Sequence, residues 1–75
     1  MTVANGAKVF NGTGYIGYNY SGYNYGGNNN AVLVTDPGSV WSNNAALTVG
    51  YTAAAGYSTG NSLTVSNGGA VYCGD

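Results

Sequence analysis

The sequence predicts an all-β fold, a parallel β-solenoid (β-helix) in which successive coils stack on one another. The composition is the first reason, since 14 Gly and 11 Asn favour tight turns, whereas 8 Tyr, with Val and Thr, favour strands. The second reason is a 31-residue repeat, in which Met1-Thr-Val, Val32-Leu-Val and Leu63-Thr-Val fall on one another. The third is that the repeated segments show almost no helical periodicity.

The repeat makes the chain a single domain, residues 1–75, with coil 1 at residues 1–31, coil 2 at 32–62 and a partial coil 3 at 63–75. About two and a half coils result, with three short strands in each complete coil. The first strands, within residues 1–4, 32–35 and 63–66, are expected to pair in parallel, about 4.8 Å apart and in register at an offset of 31. Alternation along these strands points Val3, Val34 and Val65 inward.

The second strand follows a short turn and contains a valine followed by an aromatic residue. Asn5-Gly6, Asp36-Pro37 and Asn67-Gly68 occupy the turn at the same offset, and these residue types favour tight turns. This offset predicts a row of inward valines and, next to it, an aromatic ladder: Val9, Val40 and Val71, then Phe10, Trp41 and Tyr72.

The third strand and the connections after it complete the repeat. Ile16-Gly17-Tyr18 matches Val49-Gly50-Tyr51 at an offset of 33, which predicts inward Ile16 and Val49 and stacked tyrosines. The connections that follow are rich in Tyr, Gly and Asn, and exposed Tyr offers a large contact area at low entropic cost. Their tyrosines are therefore candidate surface contacts, with packing inside the loop as the alternative: Tyr20, Tyr23, Tyr25 and Tyr57.

The residue types needed for catalysis or metal binding are nearly absent from the sequence. There is no His, one Cys and two acidic residues, so we expect no catalytic, cofactor-binding or metal-binding residues and no enzyme. Residues 12–17 match G-x-G-x-x-G, but no helix former follows, which favours a turn and a strand over a dinucleotide site. Cys73 aligns with Ser42 and Asn11 and is either an incidental small residue or an intermolecular thiol.

The low charge also limits the partners. The net charge is −1 and Lys8 is the only basic residue, so nothing attracts nucleic acid or an anionic membrane surface. No apolar run approaches membrane-spanning length, and residues 1–10 lack the basic and apolar regions of a signal peptide. We therefore expect neither a nucleic-acid partner nor membrane insertion, and a mature form or an excised piece if the protein is exported.

The repeat itself resembles a known family. The segments VLVTDPGSVWSNNAALTVGY and GNSLTVSNGGAVY are similar to a repeat of bacterial autotransporter-type and PEP-CTERM-associated surface proteins. The resemblance runs from Met1 to Tyr72. It implies a right-handed parallel β-solenoid outside the cell, as a passenger or adhesin stalk, and it brings no catalytic residues.

Three functions follow as hypotheses. The leading one is a structural repeat module of an extracellular bacterial surface protein, whose partners are flanking repeats or further copies that stack by their strand edges. The second is a small subunit that assembles head-to-tail into an extracellular fibre. The third is an adhesin surface that binds a host or matrix ligand through the Tyr-rich loops. The sequence does not decide between a complete subunit and a fragment.

Overall fold

The computed structural model describes residues 1–19, 27–52 and 58–74, and over these ranges it contains strands, turns and bends but no helix. Short strands form where Val, Thr, Tyr and Leu concentrate, and Gly and Asn separate them. Eight strands result: β1 (Thr2–Val3), β2 (Lys8–Asn11), β3 (Gly14–Asn19), β4 (Ala31–Thr35), β5 (Val40–Asn43), β6 (Leu47–Thr52), β7 (Ser62–Ser66) and β8 (Ala70–Tyr72).

The strands form three small, separate sheets, and every pairing is parallel. The strand orders are β1-β4-β7, β2-β5-β8 and β3-β6. Consecutive strands of the chain therefore lie in different sheets, and each strand pairs with the third one after it. We call β1–β3 the first repeat, β4–β6 the second and β7–β8 the third.

The first sheet confirms the predicted pairing. Val3 lies opposite Val34, and Val34 lies opposite Val65, so the offset is 31 on both sides of β4. Val3 and Val34 are buried, as the alternation predicts, and the adjacent Leu33 lies between Thr2 and Thr64 on the other face.

The second sheet corrects the predicted register. Trp41 pairs with Val9 and Val71, and Ser42 pairs with Phe10 and Tyr72, so the offsets are 32 and 30. The aromatic ladder of Phe10, Trp41 and Tyr72 is therefore wrong: the Trp41 side chain is buried, while Phe10 and Tyr72 are exposed.

The length of the turn explains the correction. In each repeat a turn joins the paired valine of the first sheet to the first paired residue of the second sheet. This turn is residues 35–39 in the second repeat, one residue longer than the turns 4–7 in the first and 66–69 in the third. A shift of one residue moves every side chain of a strand to the other face. Val40 consequently lies opposite Lys8 and Ala70 rather than in the predicted row of inward valines.

The third sheet follows the predicted offset of 33, with Ile16 opposite Val49 and Tyr18 opposite Tyr51. The predicted tyrosine stack is confirmed, because the rings of Tyr18 and Tyr51 lie 4.9 Å apart at an angle of 8°. Gly17 has a φ of 79°, in the left-handed region, and it interrupts the strand alternation. Tyr15 and Tyr18 are consequently both exposed, although three positions apart, and Ile16 between them is buried.

One hydrophobic core joins the three sheets. Val3, Val34 and Val32 come from the first sheet, Trp41 from the second and Ile16 from the third. Val34 is fully buried between its two neighbours, whereas Val65, in the last strand of the same sheet, is 45% exposed. Val3, in the other outer strand of this sheet, is buried, so the core of the first sheet is open on the β7 side.

This difference predicts unequal effects of one substitution at two stacked positions. Val34→Ala should lower the free energy of unfolding by about 2 kcal/mol, because it removes buried methyl groups and leaves a cavity. Val65→Ala should cost less than about 1 kcal/mol, because nearly half of the side chain already contacts water. Urea unfolding followed by circular dichroism measures both, and equal losses would contradict the assigned core.

Candidate functional site

The described residues contain no cluster of the side chains that usually hold a metal ion. No group of three or more His, Cys, Asp or Glu residues lies together in residues 1–19, 27–52 and 58–74. In the same ranges no helix has the length and apolarity needed to cross a bilayer. The candidate functional features are therefore polar side-chain ladders, exposed aromatic rings and strand edges.

An amide ladder links the repeats beside the second sheet. The Trp41 Nε1–H donates to Asn11 Oδ1 over 2.6 Å, and Asn11 Nδ2 donates to Asn43 Oδ1 over 2.7 Å. Asn43 Nδ2 in turn donates to the Tyr72 carbonyl oxygen over 3.3 Å. Because Asn43 is buried and both amides act as donor and acceptor, the ladder satisfies polar groups in the interior and connects all three repeats.

A second ladder connects the turns that precede the second sheet. Asp36 Oδ2 accepts the backbone N–H of Asn5 over 2.9 Å, and Asp36 Oδ1 accepts from Asn67 Nδ2 over 3.1 Å. Asp36 thus accepts a backbone N–H from the neighbouring repeat. The Lys8 ammonium group donates to the Gly38 carbonyl oxygen over 2.8 Å. Both charged groups therefore take part in contacts between repeats.

A third ladder lies where the connection to the next repeat ends. Asn61 Oδ1 accepts from the Asn30 backbone N–H over 2.9 Å, and Asn61 Nδ2 donates to the Gly27 carbonyl oxygen over 2.7 Å. The Asn61 side chain also occupies the space in which a Cβ of Gly17 would lie. Sequence analysis missed this arrangement, because it depends on the left-handed φ of Gly17, which the sequence does not show.

The structure describes only part of the predicted contact surface. The candidate tyrosines of the connections lie outside the described residues: Tyr20, Tyr23, Tyr25 and Tyr57. The described residues instead bring together Tyr15, Tyr18 and Tyr51, with Tyr15 edge-on to the other two rings at 4.8 and 5.3 Å. Tyr15 was not predicted as part of a cluster, because strict alternation would place it on the face opposite Tyr18.

Cys73 has a different place from the one that the sequence alignment gave it. Tyr72 pairs with Ser42, so the next residue, Cys73, is in line with Asn43 and Asn11. The sequence alignment had placed it in line with Ser42 instead of Asn43. Its side chain is exposed. The next residue is held by two bonds from the Gly74 N–H to the carbonyl oxygens of Asn43 and Ala45, at 3.1 and 3.0 Å. An intermolecular role for the thiol stays a prediction.

Two of the strand edges expose a valine whose counterpart in the neighbouring strand is buried: Val49 beside Ile16, and Val65 beside Val34. Among the described strands, β6, β7 and β8 each have one neighbour. Val49 in β6 and Val65 in β7 are nearly half exposed, and Tyr72 in β8 is more exposed still. An edge with unpaired backbone groups and apolar side chains is a surface for pairing with another strand.

The amide ladder predicts a change that the single tryptophan reports. Asn11→Ala removes the acceptor of the Trp41 Nε1–H and the donor to Asn43, leaving two inward polar groups without partners. We expect a loss of about 1–3 kcal/mol in the free energy of unfolding and a shift of the Trp41 emission maximum. The exposed neighbour Asn44 is the control, and Asn44→Ala should change neither. Identical behaviour of the two variants would contradict a structural role for the ladder.

Comparisons with known proteins leave the function to be argued from this geometry. No protein-family model, no curated protein and no solved structure matches the chain. The strand edges and the ladders that connect the repeats are therefore the basis for any assignment.

Proposed function

We propose that the chain is a non-catalytic structural repeat module, whose role is to stack with further repeats through the parallel edges of its sheets. The observation that carries the proposal is the stacking of equivalent residues, with Val3, Val34 and Val65 in register at a constant offset. Each repeat presents strand edges with which the equivalent strands of the next repeat pair. A surface of this kind extends by adding strands, and it needs no ligand or cofactor.

The architecture that fits this role is a right-handed parallel β-solenoid, in which the three sheets are the walls and each repeat is one coil. Two findings support it: consecutive strands enter different sheets in a fixed order, and the three sheets share one core. The right hand follows the resemblance of residues 1–72 to solenoid repeats and the general preference for right-handed parallel crossovers.

The proposed setting is the exterior of a bacterial cell, as part of an autotransporter-like passenger or adhesin stalk. The support is the sequence resemblance, together with a surface that replaces charge by amide and hydroxyl groups. The three ladders that connect the repeats suit a stalk, because they stabilise the stack along its length without a large core.

Assembly of separate copies into an extracellular fibre is the second candidate function. The exposed Val65 edge favours it, because Val65 in β7 is nearly half exposed whereas Val34, at the equivalent position in β4, is buried. A net charge of −1 adds little repulsion between copies, and parallel strands of similar sequence stack readily in register.

Stacking between copies is tested by placing a charge on this edge. Val65→Lys should abolish concentration-dependent association in sedimentation velocity, because a strand of a second copy added to β7 would bury the lysine charge beside Val34. Thr64→Lys is the matched control: Thr64 lies in the same strand on the opposite face, in line with Leu33, and should leave association intact. A monodisperse wild-type monomer at high concentration, or equal loss in both variants, would count against stacking.

The proposed location has its own test. Antibody raised against the chain should label intact, unpermeabilised cells of the source bacterium, and protease added outside should remove that label. Labelling that requires permeabilisation would contradict the extracellular assignment, and a cytoplasmic protein labelled in parallel shows whether the cells are intact.

A further inference from the structure

The third sheet carries three tyrosines whose rings are in contact. Tyr15 and Tyr18 come from β3, and Tyr51 comes from β6. Tyr18 and Tyr51 are direct partners in the parallel register, and their rings lie 4.9 Å apart at an angle of 8°. Two phenol side chains are therefore held side by side, one from the first repeat and one from the second.

We propose that Tyr18 and Tyr51 form a site of oxidative cross-linking, at which a one-electron oxidant converts the two phenols into a dityrosine. The product is a covalent bond between the first and second repeats. A chain with a single Cys has no internal disulfide available for this purpose. The inference goes beyond the proposed function and does not depend on it, because both rings belong to one chain and no second copy takes part.

The reaction removes one electron and one proton from each phenol. Two equivalents of the oxidant take the two electrons, and the solvent takes the two protons. Each tyrosyl radical carries unpaired spin on the Cε carbons next to the carbon that bears the oxygen, and one Cε of each ring forms the new C–C bond. Each of these carbons then releases its hydrogen as the oxygen regains a proton, which restores both aromatic rings. The chain has lost two hydrogen atoms in total.

The parallel register favours Tyr18 and Tyr51 as the reacting pair. Neighbouring backbones are about 4.8 Å apart, and the two ring centroids are separated by nearly the same distance, so the side chains run side by side. Rotation of the rings about the Cβ–Cγ bonds, which are soft torsions, brings the facing Cε edges together. Tyr15 is edge-on to both rings, at 68° and 61°, so its Cε carbons are not aligned with theirs.

The pair is also accessible to an oxidant in solution. Tyr18 is 42% exposed and Tyr51 is partly exposed, whereas Trp41, the other readily oxidised ring, is buried in the core. Neither β3 nor β6 contains a charged residue that would repel an ionic oxidant. The exposed thiol of Cys73 is a competing target, and it has to be blocked before the reaction is measured.

The cross-link should stabilise the fold. It closes a covalent loop between residues 18 and 51, which restricts the unfolded chain in the way that a disulfide does. The folded structure changes little, because the two rings are already in contact. We therefore expect the cross-linked chain to unfold at a higher urea concentration than the untreated chain.

The experiment irradiates the 75-residue chain with tris(bipyridine)ruthenium(II) and persulfate, which together generate the one-electron oxidant ruthenium(III). The Cys73 thiol is alkylated first, and dilute protein limits coupling between copies. We expect dityrosine fluorescence in the monomer fraction and a mass lower by two hydrogen atoms. Proteolysis and mass spectrometry should then yield linked peptides that contain residues 18 and 51.

Substitutions of Tyr by Phe identify the reacting pair, because Phe keeps the ring but has no phenol to oxidise. Tyr18→Phe and Tyr51→Phe should each lower the yield of dityrosine in the monomer to the background. Tyr15→Phe is the matched control within the same cluster, and it should keep the wild-type yield. Circular dichroism shows whether each variant is folded, and the linked peptides of the wild type test the proposal even if a variant is not.

Several results would overturn the site. They are the absence of dityrosine from the monomer, linked peptides that join other tyrosines, and an equal yield from the chain unfolded in urea. Loss of the cross-link in Tyr15→Phe with retention in Tyr51→Phe would place the bond within β3 and would also overturn it. Dityrosine confined to covalent dimers contradicts the proposal too, and is evidence of contact between copies instead.

Discussion

The structure depends on one constraint, which is that equivalent strands of successive repeats lie side by side in parallel and in register. Parallel hydrogen bonding fixes the distance between neighbouring strands at about 4.8 Å, so a residue in one repeat necessarily contacts its counterpart in the next. The column of Val3, Val34 and Val65 is the clearest result. At the centre of the small core, Val34 is covered on both sides by a valine of the neighbouring strands and is fully buried.

The same constraint explains how the protein forms its contacts with so little charge. When like residues stack, like charges would repel, whereas amides can donate to and accept from one another. The bonds from Asn11 to Asn43 and from Asn30 to Asn61 are of this kind. Where a carboxylate occurs, at Asp36, its neighbours in the column are Asn5 and Asn67, which donate to it from both sides. Polar ladders therefore add stability between successive repeats.

The strand edges acquire their proposed role from the same geometry. An interior repeat buries Val34, but an outer strand exposes Val65, although the two residues are identical and their strands have the same alternation. The outer strand thus already presents the apolar side chain that a further repeat would cover, in the same position as in the repeat before it. In the third sheet the left-handed Gly17 and Gly50 and the stacked Tyr18 and Tyr51 add a conformational and an aromatic pattern to the apolar one.

The sequence by itself determined the all-β class, the 31-residue repeat, the parallel register of the first sheet and the tyrosine stack of the third, because these follow from matched letters at a constant spacing. Only the tertiary structure decided the second sheet, where one additional residue in the turn at 35–39 places Trp41, and not Val40, in the core. A match between sequences cannot decide whether an additional residue lies in a turn or in a strand. The shared face of Tyr15 and Tyr18 was equally beyond reach, since it depends on the backbone angle of Gly17. So was the bond from Asn61 to the Gly27 carbonyl oxygen, since it joins segments that are far apart in the sequence.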